Sequence, residues 1–178
     1  MKRGLLTLLL FTAIIANSQE SFKKPFFTGS LSTTFAINPN YTLFDTDDGE
    51  MLLEPASILL RLGFGYQLNK RWLASLHAGY DHHLQFGINA IPTFGKLTYN
   101  IMEDAGDTFF VSTSYGKMWR PSSAYENGKY YGVGVGWQIA GDGRWNTIVK
   151  IDFHRKKIAN FKKGNLDSAS IGIGFSLF

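Results

Sequence analysis

Apolar and polar residues alternate with a period of two in eight separate stretches of this chain. In the first stretch, Phe27, Leu31 and Phe35 alternate with serine and threonine residues. Such spacing is typical of β-strands, because successive side chains of a strand point to opposite faces. Leu59 is the one misfit in the second stretch. The eight predicted strands are 27–38, 57–68, 72–81, 91–101, 109–116, 131–139, 145–154 and 169–177.

The connections between these strands alternate in length. Three are short, at 69–71, 102–107 and 141–144, whereas those at 39–55, 82–90, 118–129 and 155–167 are longer and more polar. About ten tilted strand residues cross an apolar band of about 25 Å, and barrels in outer membranes alternate short turns with long loops. The predicted fold class is therefore all-β, an eight-stranded antiparallel transmembrane up-and-down β-barrel with both chain ends on the short-turn side.

The amino terminus has the three parts of a secretory signal. Lys2 and Arg3 precede an apolar run from Leu5 to Ala16, and Ala16-Asn17-Ser18 provides the small-x-small pattern of a signal-peptidase site. Twelve apolar residues are fewer than the roughly 20 that a transmembrane helix requires. We expect residues 1–18 to be a signal peptide cleaved after Ser18, and residues 19–178 to form the barrel.

Composition narrows the class of protein further. The chain has 178 residues, of which 44% are hydrophobic, 15% aromatic and 18% charged. About a quarter of residues are charged in an average soluble domain, so a surface that faces lipid is favoured over a secreted soluble lipid carrier. The chain has no cysteine, which excludes disulfides, thiolate metal sites and a cysteine nucleophile.

Aromatic residues cluster at the two ends of the predicted strands, where Trp and Tyr meet the interfaces of a membrane. Filling of a soluble core is the other explanation of aromatic residues in strands. The predicted girdle next to the short turns consists of Trp72, Tyr99, Phe109, Trp137 and Trp145. The predicted girdle at the opposite ends consists of Tyr80, Tyr115 and Tyr131, with Phe153 beside them.

The last strand and two internal stretches carry a resemblance to a known class. The end of the chain, 168–178, together with 90–99 and 115–117, resembles the small outer-membrane β-barrels, OmpX-like in size and of the type common in Bacteroidota. The resemblance implies a location in the outer membrane, and a terminal Phe read by the barrel-insertion machinery. Phe178 departs from the usual signal, because it is in phase with Gly172 and Gly174 rather than with the lipid-facing series. A different insertion partner or a terminal bulge would account for this.

Charged residues recur on the series predicted to face the barrel interior. In a narrow lumen such residues pair and form hydrogen bonds. The competing hypothesis is an acid/base site, since the outer-membrane lipid A hydrolases that this chain resembles in size use His, Ser and an acid. Those sites face the lipid, and no His-x-Ser spacing occurs here, so we expect no catalytic residue. The predicted interior polar cluster is Arg61, His77, Asp81, Lys96, Lys150, Asp152 and His154.

Three motifs resemble ligand sites without their full chemistry. His82 and His83 are adjacent, and adjacent residues of a strand point to opposite faces, which does not suit one metal ion, so we expect a pair of loop residues. Asp45, Asp47, Asp48 and Glu50 lack the remaining spacing of a calcium loop. The Gly132-x-Gly134-x-Gly136 run is followed by no helix, which argues against a nucleotide cradle and for a tightly packed strand. We expect no cofactor and no metal.

The net charge of +4 includes a basic stretch in the predicted last loop. Such a loop either is simply solvated or attracts the phosphates of lipopolysaccharide or an acidic partner. Its residues are Arg155, Lys156, Lys157, Lys162 and Lys163. The expected partners are outer-membrane lipid, lipopolysaccharide and membrane proteins, not nucleic acid. The expected function is a structural or interaction role with a plugged lumen, as an accessory subunit of a larger envelope complex; the alternative is a lipid A hydrolase or acyltransferase.

Overall fold

The chain folds into eight long strands. A computed structural model describes residues 24–37, 53–141, 143–158 and 164–178, so the predicted signal peptide and the acidic residues at 45–50 lie outside the described residues. The strands are β1 (Pro25–Ile37), β2 (Leu53–Gln67), β3 (Trp72–His83), β4 (Ile88–Asp104), β5 (Asp107–Trp119), β6 (Gly128–Ala140), β7 (Trp145–Lys157) and β8 (Asn165–Leu177).

Every strand pairs antiparallel with the next along the chain, and β8 pairs antiparallel with β1. The sheet is therefore a closed barrel in strand order one to eight, and the predicted fold class is confirmed. Closure leaves no unpaired strand edge, which is the condition for a sheet surrounded by lipid. Two register shifts interrupt the pairing, at Thr34/Phe35 in β1 and at Asn100/Met102 in β4.

The connection predicted at 102–107 is shorter in the structure than the sequence suggested. β4 continues to Asp104 and β5 begins at Asp107, which leaves a two-residue turn of Ala105 and Gly106. Both residues have positive φ, 50° and 94°. This is the conformation of the tight hairpin turns whose twist matches that of the flanking strands. The charged and Met-containing segment before the turn thus pairs as strand despite its loop-like composition.

The predicted long loop at 82–90 is also wrong. β3 extends to His83, a single 3-10 turn covers Leu84–Phe86, and β4 starts at Ile88 after Gly87 in the left-handed region at φ 60°. Asn89 ties the hairpin together, since its Oδ1 accepts from Tyr80 Oη at 2.8 Å and lies 2.7 Å from His82 Nδ1. The two strands therefore stay paired beyond the polar residues that suggested a loop.

Large apolar side chains cover the outside of the barrel. They belong to the series that the alternation assigns to one face of each strand, and they include Phe27, Leu62, Leu76, Val135, Ile151 and Ile173. An exposed apolar surface that surrounds the molecule is an arrangement for contact with hydrocarbon.

Among the described residues, no helix has the length and apolar character needed to cross a bilayer.

The carboxyl terminus enters the barrel interior. Phe178 stacks on the buried Phe26 of β1, with ring centroids 5.2 Å apart, and its backbone N–H donates to the Arg144 carbonyl at 3.1 Å. The register of β8 runs without a shift from Asn165 to Leu177 against β7. No terminal bulge therefore accounts for the phase of Phe178, and its ring lines a cavity of about 490 Å³ at the short-turn end of the lumen.

Candidate functional site

The interior of the barrel holds large apolar and aromatic side chains as well as charges. The predicted interior cluster contained only charged residues and histidines. It did not include the apolar and aromatic side chains, although Phe94 and Phe110 belong to the series predicted to point inward. Leu59, the misfit of the alternation, is 1% exposed and points inward. The buried apolar side chains of the described strands include Phe26, Leu59, Leu73, Ala90, Phe94, Phe110, Met118, Tyr130 and Leu166.

Four charged or ionisable side chains form the upper cluster, toward the long-loop end: Arg61, Asp81, His83 and Lys156. Asp81 accepts from the Arg61 guanidinium on one oxygen and lies 2.5 Å from Lys156 Nζ with the other. His83 Nε2 lies 2.6 Å from the same Lys156 Nζ. Asp81 and Lys156 are fully buried, so each charge depends on its partners rather than on water.

The prediction that Lys156 lies in an exterior loop is wrong. It was expected in an exterior basic loop, but β7 continues through Lys157, and Lys156 keeps the inward phase of Lys150 and Asp152. Its ammonium group therefore enters the lumen, where Asp81 supplies the counter-charge. The alternation of inward and outward residues along β7, continued beyond His154, predicts that Lys156 points inward.

A hydrogen-bonded line of Tyr130, His154 and Ser170 crosses the lumen beside the upper cluster. The Tyr130 hydroxyl lies 2.6 Å from His154 Nδ1, and His154 Nε2 lies 3.0 Å from Ser170 Oγ. Tyr130 also stacks on Phe94 at 4.6 Å between ring centroids. The Arg61 guanidinium lies over both rings, at 5.7 and 5.8 Å from their centroids. Neither Tyr130 nor Ser170 was predicted for the site.

The lower cluster, nearer the short turns, contains Lys96, Lys150 and Asp152. Lys150 Nζ lies 2.8 Å from Asp152 Oδ2, and both side chains are nearly buried. Lys96 Nζ sits over the Phe110 ring, 5.5 Å from its centroid. His77 bonds to Ser75 at 2.8 Å and stacks on Phe94 at 5.1 Å, with its ring plane almost parallel. All seven residues of the predicted interior cluster thus lie inside one lumen: five belong to the two clusters, and His77 and His154 lie beside them.

Little empty space remains among these side chains. The cavity at the centre of the lumen has a volume of about 20 Å³ and is lined by Arg61 of the upper cluster, by Lys96 of the lower cluster, and by His77 and His154 between them. A space of this size holds about one water molecule. Substrates, cofactors and hydrated ions therefore do not fit between the two clusters.

The histidine pair does not form a metal centre. His82 bonds to Asn89 near the outer surface, whereas His83 points into the lumen toward Lys156. Among the described residues, no group of three or more His, Asp or Glu side chains is arranged to hold a metal ion. The predicted calcium-like motif lies outside the described residues.

The predicted girdle residues lie on the outward face in two rings. Trp72 and Tyr99 contact each other at 4.8 Å at the short-turn end, as do Phe109 and Trp137 at 5.8 Å. Trp145 packs against Phe175 at the same end. At the long-loop end the outward aromatic residues include Tyr80, Tyr115, Tyr131 and Phe153. Two aromatic rings separated by an apolar band match the depth profile of a bilayer.

Comparison with known proteins places this architecture among small barrels of the outer membrane. No protein-family model matches the chain, and no curated protein matches it in sequence. The chain is similar in structure to Neisserial surface protein A, with a TM-score of 0.61, 8% identity, and coverage of 86% of this chain and 96% of that one. It is also similar to the N-terminal β-barrel domain of Pseudomonas aeruginosa OprF, with a TM-score of 0.53, 14% identity, and coverage of 86% and 97%. The fold therefore defines the class of protein, which is the eight-stranded β-barrel of the outer-membrane type.

Proposed function

We propose that this protein is an integral outer-membrane β-barrel of the Bacteroidota type, exported by its signal peptide, with a structural or interaction role as an accessory subunit of a larger envelope complex. The observation that carries the proposal is the division of side chains between the two faces of one closed sheet. The outward face is apolar, and the inward face carries paired charges that fill the lumen. A barrel whose lumen is blocked at its centre acts through its outer surface and its loops.

A plugged lumen has a direct electrical consequence. Purified protein in a planar bilayer is expected to give no stable open-channel current, because Phe94 and Tyr130 stack across the centre of the lumen beside the ion-paired clusters. The double variant Phe94→Ala/Tyr130→Ala removes both rings and is expected to admit small ions. The control is Phe64→Ala/Tyr66→Ala, which truncates two outward rings. A large, stable conductance of the wild-type protein contradicts the plug.

The accessory role predicts protein contacts on one side of the barrel. A photo-crosslinking amino acid is placed at Leu76 in β3, Val133 in β6 or Ile173 in β8, three outward positions that are 74%, 57% and 59% exposed. In native cells we expect a protein adduct of defined mass from one or two of these positions, and lipid adducts from the rest. The inward, buried Ser112 is the control position. Lipid adducts alone from all three outward positions contradict the accessory role.

One contact bears on the alternative of a lipid A hydrolase or acyltransferase. Ser170 and His154 have the spacing of a nucleophile and its base, and Tyr130 orients the imidazole. Both residues nevertheless point into the lumen and are 2% and 8% exposed, so an acyl chain in the membrane does not reach them. This contact therefore does not support a second candidate function.

A further inference from the structure

Three lysines form a row on the outward face at the long-loop end. Lys117 of β5 is paired in register with Lys129 of β6, which is paired with Lys157 of β7. All three side chains are exposed, and none forms an ion pair with a carboxylate of the described residues. Like charges directly opposite each other on neighbouring strands destabilise a sheet. The lysine row, defined as these three residues, therefore favours the presence of an anion.

Aromatic side chains place the lysine row at the level of a membrane interface. Lys117 Nζ lies 4.6 Å from the centroid of the Trp119 ring, and Lys157 Nζ lies 5.6 Å from that of Tyr131. Tyr115 and Tyr131 contact each other directly below the row, with centroids 5.2 Å apart. Trp and Tyr occupy the headgroup level of membranes. These cation–π contacts orient the ammonium groups but do not neutralise them.

Two apolar grooves begin at the lysine row and lie on either side of the ridge made by Tyr115 and Tyr131. The first has a volume of about 1390 Å³ and reaches Lys117 and Lys129. Gly95 lines this groove and leaves open space in it, because an added Cβ there would meet nothing within 4 Å. The outward apolar residues along it include Phe27, Leu62, Phe64, Leu76, Ala78 and Phe175. The second groove, of about 780 Å³, runs along Val133, Phe153 and Ala169 and reaches Lys157.

We propose that the lysine row and the two grooves bind an outer-leaflet lipid that carries phosphate on its headgroup and more than one acyl chain. The phosphates lie against the three ammonium groups, since lysine binds phosphate as a point charge. The acyl chains occupy the two grooves, where they replace irregular contact with bulk lipid. The continuity of each groove with the lysine row favours this occupant over a second copy of the barrel, which would bring its own lysines to the same place. The inference rests on the proposed membrane location.

The test measures lipid retained by full-length protein. Wild type and the variant Lys117→Gln/Lys129→Gln/Lys157→Gln are placed in phosphatidylcholine nanodiscs with trace bisphosphorylated lipid A, and bound lipid A is counted by native mass spectrometry. We expect the variant to retain about tenfold less lipid A, which corresponds to about 1.4 kcal/mol. The matched control removes three cations at the short-turn end, Lys24→Gln/Lys70→Gln/Arg144→Gln, and is expected to bind as wild type does.

Two further measurements give the remaining outcomes. Equal binding of dephosphorylated lipid A, equal retention by the two triple variants, or full displacement by millimolar inorganic phosphate overturns the lipid site. Fractionation of the same proteins separates this result from the proposed function. A lysine-row variant that stays in the outer-membrane fraction and keeps the gel mobility of a folded barrel, yet retains less lipid A, supports the site. Wild-type protein that leaves the envelope without detergent overturns the membrane location itself.

Discussion

Replacement of Asp81 by Asn is expected to lower the free energy of unfolding by about 3 to 5 kcal/mol, the cost of breaking a buried ion pair by removing one partner. Asp81 is the counter-charge of both Arg61 and Lys156, and all three side chains are buried. Asparagine keeps the shape of the side chain but leaves two cations without a carboxylate. Urea unfolding in detergent micelles, followed by the fluorescence of the four tryptophans, measures the change.

Two comparisons separate this effect from loss of charge in general. Asp167→Asn breaks the exterior ion pair with Arg155, where both side chains are 56% exposed, and is expected to unfold at nearly the wild-type urea concentration. The triple variant Arg61→Leu/Asp81→Leu/Lys156→Met removes all three charges together and is expected to recover much of the lost stability. If Asp81→Asn unfolds at the same urea concentration as Asp167→Asn, the upper cluster does not stabilise the barrel.

Replacement of Val135 by Arg is expected to cost about 2 to 4 kcal/mol of stability in a bilayer, the range for a basic residue at the midplane of the lipid-facing surface. Val135 lies halfway along β6, faces outward and is flanked in register by Val111 and Ile151. The measurement is reversible unfolding from lipid vesicles in urea. A cation at this depth loses its hydration and finds no counter-charge among its outward neighbours.

The matched control uses the same strand and the same face. Ile139 lies beyond Trp137 toward the short turn and is 43% exposed, close to the 40% of Val135. Ile139→Arg is expected to cost only about 0 to 1 kcal/mol, because it reaches the interface. Equal costs at the two positions would mean that the apolar band of β6 is not in hydrocarbon.

Several features of the barrel were predictable from local pattern. Alternation assigns Val135 and Ile151 to one face and Arg61, His77 and Asp152 to the other, because a strand turns its side chains by half a revolution per residue. The same parity rule extends to Lys156 and Tyr130, which were left out because their neighbours have the composition of a loop. Turn lengths were harder to predict: residues 102–104 and 88–90 are polar or irregular in pattern, yet they pair because the strands on either side continue.

The partners inside the lumen were beyond the reach of the sequence. Lys156 and His83 are 73 residues apart and come from strands that do not pair, and Tyr130 and His154 meet at 2.6 Å across 24 residues. The stagger between strands and the bulges at Thr34/Phe35 and Asn100/Met102 set the height of each side chain in a closed barrel. The height of each inward side chain is therefore determined only when the eight strands close into a barrel.

By itself, the sequence determined the number of strands, their faces and the apolar character of the outer surface, because each of these is encoded within a single stretch of about ten residues. The tertiary structure alone decided that Asp81 joins Arg61 to Lys156, that Phe178 stacks on Phe26, and that Lys117, Lys129 and Lys157 align. The physical reason is that alternation fixes direction within a strand, whereas contacts between strands depend on register and on the curvature of the closed sheet.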